Sequence, residues 1–291
     1  MKICGFTFVR NAVKYEYPVV ESITSILTIV DEFIVSVGNC DDGTLELIES
    51  IGSSKIKIVH SVWDDSLKHG GRVLAIETDK SLANVPAGYD WAFYLQADEV
   101  VHEKYLDAIV SAAKKYADNE KVEGLLFKYV HFYGSYDYEG DSRRWYDHEI
   151  RLIKNNRNIV SYKDAQGFRT RQQKKLQVKK IDASIYHYGW VRHPSKQNEK
   201  ISAFSALWNG EGYSPSPYNE EKQWDFVNDA DSLELFKGTH PAVMKNRIAR
   251  KNWNANFNTS KKRFSLKDGI LYRIEKLTGK RLFSYKNYTI I

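Results

Sequence analysis

Apolar runs alternate with amphipathic stretches through the first half of the chain. KICGFTFV at 2–9 is nearly continuous in aliphatic and aromatic side chains and predicts a buried strand. Beyond it Pro18 suits a first helical turn, and Val19, Ile23, Ile26, Leu27 and Val30 recur at helical spacing. EFIVSVG at 32–38 predicts a second strand. It runs into NCDDGTLELIESIG, where Asp41 or Asp42 can cap a helix carrying Leu45, Leu47, Ile48 and Ile51 and Gly52 stops it. KIKIVHSVW supplies a third strand, and a polar loop at 64–72 leads into a helix ending near residue 82. Repeated β-α-β winding of this kind predicts a parallel sheet, because parallel neighbours need crossover connections.

The run WAFYLQADEV at 91–100 reads as one buried strand that ends in Asp98 and Glu99. Open α/β sheets bind ligands at the carboxyl ends of their strands. Carboxylates placed there suit a hard divalent cation, which in turn neutralises a phosphorylated substrate. The same two acids also suit the start of a helix near residue 103, so the run alone leaves both readings open. After a helix over about 103–116, VEGLLFKYVHFYG, HEIRLIKN, IVSYKD and IDASIYHYGWVRHP predict further strands.

Composition narrows the class. The 291 residues, 42% hydrophobic with 17 Gly, belong to an ordered globular chain with a substantial core. Cys4 and Cys40 make neither a disulfide framework nor a metal site, which favours a reducing compartment. Arg10 follows the amino terminus too closely for a signal-peptide core, and no apolar run approaches the roughly 20 residues that span a bilayer. A cytoplasmic protein is expected. Charge divides the chain: residues 236–291 hold fourteen Lys or Arg against Asp268 and Glu275, a balance of +12, which leaves −6 for residues 1–235 within the overall +6. The boundary predicts an α/β domain over 1–235 and a basic helical extension over 236–291. In that extension Leu266, Ile270, Ile274 and Leu277 fall on one helical face, with Lys267, Arg273 and Lys276 elsewhere. Such a helix either packs on the main domain or lies at the inner face of a membrane as a peripheral contact.

The order of FTFVRNA, EFIVSVGNCDDGT and FYLQADEV resembles the amino-terminal half of family 2 glycosyltransferases. The resemblance covers about residues 2–110 and continues more loosely to about 190. It implies a GT-A fold, a Rossmann-like nucleotide-binding domain with a mainly parallel central sheet flanked by helices. It also implies a nucleotide-sugar site at Phe8, Arg10, Asn11, Gly38, Gln96 and Ala97. In that family a DxD motif holds a divalent ion, Mg²⁺ or Mn²⁺, on the sugar-nucleotide diphosphate, and many members use a late histidine as a further ligand. Here Asp98 and His187 occupy those places. Two departures stand out. Val37 and Gly38 lie where the family has two Asp, and Gln96 replaces the first acid of DxD, which leaves one negative charge fewer for the cation. Either Asp98 and the diphosphate hold the ion, or metal dependence is reduced.

An inverting transferase needs a base for the acceptor hydroxyl. Family order places it between the DxD position and the late histidine, where Asp164 in SYKDAQGFR is the first choice and Glu149 the second; each also suits a surface pair with Arg151 or Arg169. Arg10, Arg72 and Arg192 are candidate phosphate partners, since guanidinium binds phosphate in bidentate fashion. Trp145, Tyr146 and Trp190 are candidates for stacking on an acceptor sugar, or for the core. The expected activity is therefore transfer of a sugar from a nucleotide-diphosphate donor to a glycan or glycolipid acceptor, as in cell-surface glycan or lipopolysaccharide synthesis. A non-catalytic nucleotide-sugar or glycan binding protein of the same fold is the alternative. Nucleic-acid binding is the weakest class, because the main body is acidic and no nucleic-acid module is recognisable.

Overall fold

A computed structural model describes residues 1–67, 70–208 and 223–291. Elements follow in chain order as β1 (Ile3–Val9), α1 (Val19–Ile26), β2 (Glu32–Val37), α2 (Thr44–Glu49), β3 (Ile56–His60), α3 (Arg72–Ala83), β4 (Trp91–Tyr94), β5 (Glu99–Val101) and α4 (Leu106–Lys115). The second half adds β6 (Gly124–Tyr133), β7 (Tyr138–Gly140), β8 (His148–Lys154), β9 (Ile159–Tyr162), β10 (Gly167–Thr170), β11 (Leu176–Trp190), α5 (Pro194–Trp208), α6 (Phe226–Asp229), β12 (Leu233–Leu235), α7 (Lys245–Ala249), α8 (Leu266–Thr278) and β13 (Tyr288–Ile290).

The fold is mixed α/β. Its central sheet runs β3-β2-β1-β4-β8-β6, and the first four strands are mutually parallel. Every residue of β1 and of β4 is buried, as continuous apolar strands covered on both faces must be. On one side α1 packs Val19, Ile23 and Ile26 into the cluster that holds Phe33, Trp91 and Phe93. On the other, Val73 and Leu82 of α3 join Phe6, Ile34 and Tyr94. The helices and strands expected over residues 2–83 are all present. Gly43, not Asp41 or Asp42, takes the N-cap of α2 and gives no side-chain cap; Asp42 Oδ1 accepts from the Thr44 amide at 3.1 Å in the turn just before it.

The sheet departs from the expected parallel winding after β4. β8 lies antiparallel between β4 and β6, whereas β11 runs parallel to β6. β11 is one strand of 15 residues, longer than its apolar part predicts, and it also pairs with β5 and with β13. The run at 91–100 is not one strand either. β4 stops at Tyr94, a tight turn follows in which the Glu99 amide donates to the Gln96 carbonyl at 3.0 Å, and β5 restarts at Glu99 in antiparallel register with His187. A buried cation accompanies the break. Arg151 on β8 is fully buried, and Glu99 turns inward to hold it with two contacts of 2.8 Å. Tyr129 donates a third contact to the same carboxylate at 2.7 Å. Glu99 is thus spent inside the fold, and Asp98 alone faces outward at this corner.

Candidate active site

At the carboxyl ends of β1 and β4 lies a cleft of about 350 Å³. Phe8 and Arg10 enter it from β1, Gln96, Ala97 and Asp98 from the β4–β5 turn, and His187 and Trp190 from β11. Trp63 closes one wall, packing tilted on Phe8 at 5.6 Å and lying under the Arg10 guanidinium at 5.5 Å, while Asp65 holds Arg10 at 2.6 Å. Gly38 permits this wall, since a Cβ there meets the Trp63 ring nitrogen at 2.6 Å.

Sheet register brings Asp98 and His187 together. The Tyr188 amide donates to the Asp98 carbonyl at 2.8 Å, and β11 slips register against β6 between His187 and Trp190, an irregularity that re-aims the side chains around it. His187 Nε2 then stands 3.7 Å from Asp98 Oδ2. Gly189 leaves the space beside them, as a Cβ there lies 2.6 Å from His187 Nε2 and 2.7 Å from Asp98 Oδ2.

Hydrogen bonding assigns the histidine tautomer. His131 Nε2 lies 2.8 Å from the Tyr146 carbonyl, which only accepts, so that nitrogen carries the proton. Burial holds His131 neutral, leaving its Nδ1 as an acceptor, and His187 Nδ1 at 3.1 Å must donate to it. Burial also lowers the pKa of His187. Its Nε2 lone pair therefore faces the Asp98 carboxylate. Burial by itself raises Asp98, but the positive charge around it, Lys200 and Arg192 included, keeps the group below the ordinary carboxylate range.

Two acceptors aimed at one another are what a cation relieves. One carboxylate oxygen and one imidazole nitrogen are donors of the kind a divalent ion takes. No group of three His, Cys, Asp or Glu able to hold a metal is found among the described residues. The fold supplies a cation of its own beside the pair: Lys200 Nζ lies 3.8 Å from Asp98 Oδ2 and donates to the Gly189 carbonyl at 3.1 Å. Burial, with Arg192 adding to it, pushes Lys200 down to about 7.

The remaining expected residues divide. Asp164 lines the cleft, and burial raises its pKa. Gln96 Nε2 donates to the Ala165 carbonyl at 3.3 Å, tying the Asp164 turn to the Asp98 turn. Glu149 is not in the cleft lining. It is buried behind Gly167, whose Cβ would meet Glu149 Oε2 at 2.6 Å, and burial pushes its carboxyl up to about 8. Asn11 takes a left-handed φ of 55° and accepts from the Asp41 amide at 3.3 Å, outside the cleft lining. Arg72 opens α3 exposed, and His69 of the preceding HGG lies outside the described residues. Arg192 is buried, donating to the Gly189 carbonyl at 2.9 Å and to the Tyr15 carbonyl, so it braces the site from behind. Tyr146 and Trp190 line the cleft; Trp145 packs on His131 at 5.2 Å.

Sequence reading missed the whole of α5. Gln197, Lys200, Ile201 and Phe204 lie on one face of it and close the cleft opposite the sheet. Gln197 is fully buried, and among the described residues neither its amide nitrogen nor its oxygen has a partner. A buried amide without partners is costly unless a ligand completes it. The i, i+3, i+4, i+7 spacing was the available signal.

A parallel β3-β2-β1-β4 sheet flanked by helices, with a polar cleft at its carboxyl edge, defines an α/β fold whose ligand-binding crevice is expected at that edge. Among solved structures it is similar to residues 1–349 of Staphylococcus aureus TarS in complex with UDP, at 12% identity, covering 73% of this chain and 67% of that one with a TM-score of 0.39. Glucosyl-3-phosphoglycerate synthase from Mycobacterium tuberculosis with Mg²⁺ and UDP follows at 18% identity, 45% and 43% coverage and a TM-score of 0.30. 4-Diphosphocytidyl-2C-methyl-D-erythritol synthase from Anaerococcus prevotii gives 9%, 53% and 70%, and 0.34. These likenesses are distant. Against the longer S. aureus TarS chain the match spans 39% of its length. No family model and no curated protein matches the chain.

Proposed function

We propose that this protein is a glycosyltransferase that moves a sugar from a nucleotide-diphosphate donor to an acceptor hydroxyl with inversion, in the synthesis of a cell-surface glycan. The observation that carries the reading is the Asp98–His187 pair, an anion and a bare lone pair 3.7 Å apart at the edge of a parallel sheet. Arg10 and Lys200 add positive charge to the same cleft, and Phe8, Trp63, Tyr146 and Trp190 give it flat apolar walls suited to a base and a sugar ring.

Asp98 and His187 would hold a divalent ion, which would supply positive charge against the diphosphate as it leaves. Lys200 meets the same developing charge directly. Asp164 takes the proton of the acceptor hydroxyl as its oxygen bonds to the anomeric carbon. The bond from that carbon to the donor's phosphate oxygen breaks, and the nucleoside diphosphate carries away the electron pair. Gln197 completes its hydrogen bonds on donor hydroxyl or phosphate groups. Closure of the cleft by α5 keeps water from competing with the acceptor.

Incubation with a panel of nucleotide-diphosphate sugars and glycan acceptors tests this reading through release of nucleoside diphosphate. Asp98→Asn is expected to lower turnover by about 10² to 10³, the usual cost of removing one charge-stabilising group. Turnover by Asp98→Asn equal to the parent's would overturn the assignment of that carboxylate. Donor binding with no release on any acceptor would instead make the chain a binding protein.

A further inference from the structure

The outer face of α8 is inverted relative to an ordinary surface helix. Its polar side is turned toward the protein: Tyr272 donates to Asp141 at 2.5 Å, Lys276 reaches the same carboxylate at 2.5 Å, and Glu275 holds Arg143 at 2.7 Å. These contacts fix the rotation of the helix. Its apolar side is left in solvent, with Leu266 91%, Ile270 60% and Leu277 85% exposed. No residue of α8 is buried.

A second observation lies just past the helix. After Gly279 ends α8, Phe283 adopts a left-handed φ of 57° and is 88% exposed. A positive φ is uncommon for an aromatic residue, and here it coincides with a large ring left in solvent. Charge surrounds the patch with one sign. Lys267, Arg273 and Lys280 stand exposed around it. At 100° per residue the two acids of the helix, Asp268 and Glu275, fall on the opposite side, where Ser265 and Arg143 engage them.

We infer that this face is a docking surface for an anionic lipid bilayer, with α8 lying in the plane of the interface and Leu277 and Phe283 entering the acyl boundary. Apolar side chains ringed by cations are the chemistry of interfacial helices. A second copy of the chain fits less well, because a two-fold contact sets Lys267, Arg273 and Lys280 of each copy against the same residues of the other. Among the described residues no helix is long and apolar enough to cross a membrane, so the contact is one of surface docking. It stands independently of the sugar-transfer reading.

Flotation of the full chain with vesicles of phosphatidylcholine, alone or mixed with phosphatidylglycerol, tests it. Binding is expected to the mixed vesicles only, and to weaken as salt is raised. Leu277→Ser and Phe283→Ser are each expected to weaken it about tenfold, from the apolar area they remove. Both side chains are exposed, so melting curves should match the parent's and exclude misfolding as the cause. Failure of the parent to float with anionic vesicles would overturn the inference, as would variants that bind as well as the parent. A dimer in light scattering that Leu277→Ser dissolves would assign the face to self-association instead.

Discussion

Glu149 shows how far a single buried side chain can shape the behaviour of this molecule. Its carboxyl is pushed by burial from an ordinary 4.5 to about 8, with Arg151 opposing and Glu99 and Asp164 adding to the rise. The folded state therefore binds a proton between those values that the unfolded chain releases. Stability from this group is present below about pH 4.5 and is lost as pH rises toward 8, beyond which the loss is constant. Glu149→Gln removes the titration while keeping the shape. The stability of the variant relative to the parent is expected to climb by a few kcal/mol as urea denaturation is repeated from pH 5 to pH 8, on the order of 1.4 kcal/mol for each tenfold difference in proton affinity between folded and unfolded chain. A difference that stays flat over that range would mean that Glu149 is ionised in the fold.

Gly189 tests the acidic corner without touching a charge. An added methyl would sit 2.6 Å from His187 Nε2 and 2.7 Å from Asp98 Oδ2, so it must push the two apart. Gly189→Ala is expected to lower transfer about 10²-fold with little change in melting temperature, since displacement of about an ångström at a reacting centre costs that much. Unchanged turnover would show that the spacing of the pair is immaterial. Asp98 was singled out as a carboxylate at the end of an apolar run, and His187 by the order of motifs in the family resemblance rather than by its aromatic surroundings. His131, which sets the His187 tautomer, was not, because a histidine within VHFY reads as core.

At the scale of elements, the sequence revealed what local periodicity encodes. β1, β2, β3 and the helices between them follow from runs and spacings, since each buries its own apolar side chains. The break between β4 and β5 could not be read from WAFYLQADEV, because Arg151, the partner that Glu99 turns inward to meet, lies more than fifty residues downstream on β8. α5 offered only its helical spacing as a signal, for a related reason. PSKQNEKISAF is polar enough to pass for a solvated helix, and only its position over the cleft turns Gln197 and Lys200 inward. Lys200→Gln keeps helix length and removes the ammonium beside Asp98. Donor affinity measured by calorimetry is expected to fall roughly tenfold or more, the worth of one charge-assisted hydrogen bond. An unaltered affinity would place the diphosphate away from α5.

Over the whole molecule, the basic C-terminal stretch returns to the body along several routes. Arg247 holds Glu21 of α1 at 2.9 Å, Lys262 and Lys276 converge on Asp141, and the last strand β13 adds to β11 with Tyr288 opposite Leu176. That strand was beyond sequence reading, because YTI is too short to carry a period. Its weight is nonetheless considerable. Tyr288 is buried in the same apolar cluster as Phe168 and Val178, and Asn287 accepts from Arg169 Nε at 2.7 Å. Removing residues 287–291 uncovers that cluster and leaves the edge of β11 with unpaired backbone groups, the kind of edge that recruits other chains. The burial of one tyrosine and the loss of a few hydrogen bonds amount to about 2–4 kcal/mol. The truncated chain is expected to melt about 5–10 °C lower and to scatter light on heating, while Tyr288→Phe, which keeps the ring, stays close to the parent. Equal melting of the truncated and full chains would show that the sheet closes without β13.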